Sequence, residues 1–153
     1  MKSELKLLQT SIQNVVALVE GLSTEKLNKI PQGFSNNVIW NVAHLTVTQK
    51  LLIYGLSDND LGLSQAFVEK YRKGTQPIAN VSEQDCKAII NQFKNQFEDL
   101  QQDLNNDIFK TYKEYPTSYN FTITSLQDAI CFNNLHYGLH VSTILKLIKA
   151  IQE

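Results

Sequence analysis

Four stretches of the chain place apolar residues in alternating steps of three and four, the spacing that stacks side chains on one face of an α-helix. The first, Leu5, Leu8, Ile12, Val15, Val19 and Leu22, predicts an amphipathic helix over residues 3–21, with Gly21, Ser23 and Thr24 as punctuation. The connection from Ser23 to Ser35 contains Pro31 and Gly33 and therefore bends. A second helix starts at Asn36 or Asn37, either of which can cap through its side-chain oxygen, and runs to about Leu56. Trp40, His44, Val47 and Leu51 form its stripe, which Val42, Leu45, Leu52 and Ile53 broaden.

From Ser57 to Val81 the pattern breaks at Asp58-Asn59-Asp60, Gly62, Gly74 and Pro77, with a short helical piece predicted around residues 65–70. So long a segment is a crossover or a lid rather than a tight turn. Ser82 with Asp85 three positions on reads as a cap. The helix after it carries Cys86, Ile90, Phe93, Phe97, Leu100 and Leu104 on one face and ends near Asn105-Asn106. Residues 107–123 contain Pro116 and five aromatics, Phe109, Tyr112, Tyr115, Tyr119 and Phe121; extended arms packed on the end of a bundle suit them. The last helix begins at Thr124 or Ser125, with Asp128 near its positive end, and continues to Ile151. Four long helices and no credible sheet predict an all-α fold. The expected form is a four-helix bundle in one domain spanning residues 1–153, with a long crossover between helices two and three.

Composition narrows the function classes. The chain is 42% hydrophobic and 19% charged, with a formal net charge of −1. No run of Lys or Arg offers a phosphate-tracking surface, so nucleic acid is not the expected partner. The longest unbroken apolar run near the start, Val15 to Val19, is too short for a secretory leader, and nothing approaches a membrane span. Two cysteines, Cys86 and Cys131, sit apart in helical patterns, as expected of a reduced, cytoplasmic protein.

Chemistry concentrates in the histidines. His136 and His140 lie four residues apart in the last helix, on one face with Cβ atoms about 5–6 Å apart. That suits two imidazoles sharing one ion, since Zn–N bonds are about 2.0–2.1 Å. The third, His44, also lies on an apolar stripe. A lone histidine so placed is more often a hydrogen-bonded core residue. Burying all three separately, however, needs three separate hydrogen-bond solutions, and one divalent ion solves them together.

At this point the chain resembles a known family. Asn36-Asn37-Val38-Ile39-Trp40-Asn41-Val42-Ala43-His44-Leu45 is similar to the second-helix motif of the DinB-like (DinB/YfiT) metal-dependent proteins. His136-Tyr137-Gly138-Leu139-His140 resembles their last-helix His-x-x-x-His, and Tyr71-Arg72-Lys73-Gly74-Thr75-Gln76-Pro77 a Tyr-x-x-Gly-x-x-Pro feature of their long connection. The resemblance implies a metal site of His44, His136 and His140 holding Zn²⁺ or Ni²⁺, and association as a homodimer. It also implies thiol-dependent transferase or isomerase chemistry with a low-molecular-weight thiol such as bacillithiol or mycothiol. Relatives often carry an acidic residue where Tyr137 stands and glycine where Ser142 stands; these departures leave the three ligands in place and bear on tuning and substrate class.

Three imidazoles leave the charge of such an ion uncompensated and a coordination position open, which activates a thiol or a water. A thiol-dependent S-transferase and a hydrolase both follow. A non-catalytic small-molecule-binding or dimerisation module is the alternative. Trp40, Gln49 and Tyr137 are the candidate substrate contacts, with core packing the plainer reading of each. No local nucleophilic triad or phosphate-binding glycine loop is present, so no further catalytic residue is assigned.

Overall fold

The computed structural model describes residues 1–152. Its helices are α1 (Lys2–Val19), α2 (Thr24–Asn28), α3 (Val38–Ile53), α4 (Gln65–Tyr71), α5 (Glu83–Asn105) and α6 (Leu126–Gln152), with a 3-10 turn at Gly55–Ser57. The all-α expectation holds. Side-chain caps mark the helix starts: Asn37 accepts from the Trp40 N–H, Ser64 from Phe67, and Ser82 from Asp85. Ser125 Oγ accepts from the Asp128 N–H, whose carboxylate in turn accepts from Thr124. Each cap satisfies an amide that the first helical turn leaves without a partner.

The four long helices pack in a cycle, α1 against α5 and α6, and α3 against the same two. The stripe read in the sequence is the buried face of α1, through Leu8, Ile12, Val15 and Val19. On α5 it is Cys86, Ile90, Phe93, Phe97 and Leu100. Helix α3 departs from the expected one-sided pattern. Thirteen of its sixteen residues are buried, because α2 and α4 cover flanks that α5 and α6 leave open. Its polar residues Asn41, His44, Thr46 and Gln49 are therefore interior, and each must find a partner there.

The connections supply the rest of that enclosure. Residues 23–35, expected only to bend, include α2, which Ser23 caps. At its end Asn28 donates to the Val81 carbonyl at 2.9 Å and accepts from the Val81 N–H at 2.7 Å, and its own carbonyl accepts from Asn37. One asparagine thus ties α2 to the two segments that lead into α3 and α5. The short helix expected near residues 65–70 is α4.

Residues 107–123 are extended, as expected, but they include a small antiparallel ladder, β1 (Tyr115–Pro116) with β2 (Thr122–Ile123). It is closed by Thr117 and Phe121 around Asn120 at φ +56°; this corrects the expectation of no sheet at all. The same segment is tied to the end of α3, where Tyr112 Oη donates to the Leu52 carbonyl at 2.6 Å and the Lys113 N–H to that of Leu56. None of the described helices is long and apolar enough to cross a membrane.

Candidate metal centre

His44 projects from the middle of α3 and is 4% exposed. His136 and His140 project from consecutive turns of α6, the helix packed against it. The ring centroids are 5.2 Å apart for His44 and His136, 4.8 Å for His44 and His140, and 4.4 Å for His136 and His140. One nitrogen from each ring lies within 4.8 Å of the others, so the three could hold a metal ion. Nitrogens sharing a tetrahedral ion at about 2.0–2.1 Å are roughly 3.4 Å apart; the cluster is slightly wider than a closed site.

A backbone carbonyl and an amide fix which nitrogen two of the rings present. His44 Nδ1 lies 2.7 Å from the Tyr71 carbonyl, which can only accept, so Nδ1 carries the proton and Nε2 keeps its lone pair. Tyr71 ends α4, where carbonyls lack an intrahelical donor and the helix dipole favours an N–H. The one hydrogen-bond partner of His44 Nε2 among the described residues is the Thr48 hydroxyl at 3.3 Å.

His140 Nδ1 lies 2.7 Å from Asn41 Oδ1. The orientation of that amide is settled by its other end, since Asn41 Nδ2 donates to the Asn37 carbonyl at 2.8 Å and to Asn36 Oδ1 at 3.0 Å. His140 therefore donates through Nδ1 and offers Nε2. His136 Nδ1 is buried with no hydrogen-bond partner, so no group among the described residues fixes the tautomer of that ring. The donor set fits a borderline divalent ion.

The electrostatics point the same way. Burial pulls His136 down to about 3, helped by His140, His44 and the ammonium of Lys73. Burial and His44 pull His140 down to about 4. Burial also lowers His44, against the opposing pull of the Tyr71 carbonyl. All three are neutral near pH 7, and neutral imidazole is the ligating form.

The rings open onto a cleft of about 590 Å³. Its walls are Leu51 and Leu52 from the end of α3, Leu56 from the 3-10 turn, Phe132 and Leu139 from α6, and Tyr115 and Tyr119 from the hairpin, with Lys73 at the rim. Phe121 stacks behind Phe132 with centroids 6.1 Å apart. Part of the aromatic segment is thus a rim and part is packing.

The three candidate substrate contacts fall in two places. Trp40 stacks on His44, with centroids 4.7 Å apart and planes 9° from parallel, and backs the ring from the side away from the cleft. Gln49 and Tyr137 are fully buried and meet each other instead. Tyr137 Oη donates to Gln49 Oε1 at 3.1 Å and accepts from Gln96 Nε2 at 2.8 Å, while Asn133 also donates to Gln49. Neither lines the cleft. The sequence reading passed over Asn41, Thr48, Lys73 and the Tyr71 carbonyl. Asn41, a polar residue one turn before His44 in an apolar helix, carried a readable signal; a backbone carbonyl carries none.

A protein-family model described as the DinB superfamily matches residues 7–144, a span that takes in all three histidines, Asn41 and Lys73. No curated protein matches the chain.

Proposed function

The chain belongs to the DinB superfamily, and from that premise we propose that it is a metal-dependent enzyme that activates a low-molecular-weight thiol for transfer to an electrophilic substrate. The observation that carries this reading is the convergence of His44, His136 and His140 on one point that opens into a cleft. His44, His136 and His140 would hold the divalent ion, Zn²⁺ or Ni²⁺, which would supply Lewis acidity and so lower the pKa of a thiol toward neutral pH.

The protein's own part is positional. The Tyr71 carbonyl and Asn41 hold two rings in the ligating tautomer. Trp40 blocks the far face of His44, and the leucines and Phe132 give an apolar chamber for the body of a ligand. Hydrolysis is the other chemistry this donor set allows; thiol transfer is preferred because sulfur is the softer donor toward a borderline ion and a thiol starts from a lower pKa than water. We further propose that two copies associate. The exposed Leu135, Leu139 and Leu145 of α6 offer an apolar face, and the solution mass by light scattering tests it.

Elemental analysis of protein purified without chelator tests the central reading. The expected result is about one divalent ion per chain, lost in His44→Ala with the helical circular dichroism retained. Protein that takes up neither Zn²⁺ nor Ni²⁺ when supplied would leave a binding module without metal chemistry.

A further inference from the structure

The cleft over the histidines carries one full charge of its own. Lys73 is the single charged side chain among the residues that line it, and no carboxylate among the described residues lies within ion-pair distance of it. Its Nζ is held by Ser118 Oγ at 2.8 Å, which links the connection after α4 to the hairpin and keeps the ammonium at the mouth. An ammonium has three donors, so two remain for a ligand, and the Ser118 hydroxyl proton has no acceptor among the described residues. The rest of the lining is mostly apolar and aromatic, with Thr48 and Thr117 the other hydroxyl-bearing aliphatic side chains. A cleft of about 590 Å³ has the volume of a sphere roughly 10 Å across, so a small molecule can reach from one end to the other.

From this arrangement we propose that the cleft selects small organic anions. The ligand binds with its metal-seeking head toward the histidines, its apolar body along Leu51, Leu52 and Phe132, and a carboxylate on Lys73. The inference rests on the metal-centre reading, and it adds what that reading leaves open, the charge and shape of the ligand. A bound ion brings further positive charge and Lys73 adds to it, whereas an amine-tailed ligand would meet like charge at both ends.

The test uses Co²⁺-loaded protein titrated with mercaptohexanoate or mercaptohexanol, which share a thiol head and chain length and differ in tail charge. Binding is followed by the thiolate-to-cobalt absorption band. The acid should bind roughly fivefold more tightly than the alcohol at low ionic strength, with the gap narrowing as salt is added. Lys73→Gln should abolish the gap and Lys73→Arg should keep it. Equal affinity for acid and alcohol in the unaltered protein overturns the proposal, as does a preference that survives Lys73→Gln or a loaded protein that binds neither thiol. A protein that acquires no cobalt spectrum at all fails earlier, at the metal centre itself, and takes the proposal with it.

Discussion

Replacing Asn41 with leucine separates ligand orientation from fold stability. Asn41 is completely buried, and its Oδ1 accepts the His140 Nδ1 proton at 2.7 Å. Asn41→Leu keeps the branched shape and heavy-atom count, is bulkier by its two methyls, and removes that acceptor. His140 can then turn or change tautomer, and loss of such a partner typically weakens metal binding 10–100-fold, about 1.4–2.7 kcal/mol. The metal-free fold should lose less than the donor count suggests. The Asn37 carbonyl still accepts from the Asn41 backbone N–H at 3.2 Å, and Asn36 is half-buried and can turn to water. Leaving the His140 N–H unpaired costs about 1–3 kcal/mol.

Asn134→Leu is the matched control. Asn134 sits on α6 as well, two positions before His136, and its amide donates to the Glu4 carbonyl of α1 at 2.9 Å rather than to a histidine. It should lose comparable stability and no metal affinity. Zn²⁺ competition against a chromophoric chelator measures the first quantity, and urea denaturation in chelator the second. If Asn41→Leu holds Zn²⁺ as tightly as the unaltered chain, or both variants lose affinity alike, the orientation argument is wrong.

Two further outcomes follow from the same geometry. His136 and His140 are held at about 3 and about 4, below the ordinary 6.5, chiefly by burial. Between those values and 6.5 the unfolded chain binds more protons than the folded one. Metal-free stability is therefore full above about pH 6.5 and falls as the medium is acidified toward the folded values, by up to about 1.4 kcal/mol per pH unit per imidazole. Urea midpoints that stay level from about pH 7 to pH 5 in chelator would contradict the burial of neutral rings. Separately, Tyr137→Phe deprives Gln96 Nε2 of its acceptor and should cost about 1–3 kcal/mol of stability. Zn²⁺ affinity should stay unchanged, because Tyr137 does not line the cleft; a variant of normal stability with impaired ligand binding would place Tyr137 in the site.

The periodic spacing of apolar residues set the helices in advance because it reflects the backbone's own repeat, and the caps at Asn37 and Ser82 could be read because they act within one turn. The pairing of His136 with His140 was legible for the same reason. The two-residue strands were not, since Tyr115–Pro116 and Thr122–Ile123 are too short to show an alternation. Nor was the burial of α3 on nearly every side, which depends on which neighbours arrive rather than on its own pattern.

What the chain alone determined is the set of helices, their inward faces and the three imidazoles carried on them. Only the folded arrangement decided that His44 meets the other two, that a carbonyl of Tyr71 and the amide of Asn41 lock the tautomers, and that Lys73 stands at the mouth while Gln49 and Tyr137 turn to each other. The physical reason is range. Helical periodicity is fixed by bonds a few residues long, whereas these contacts join segments far apart in sequence through packing, and one of them uses a backbone group that every residue possesses.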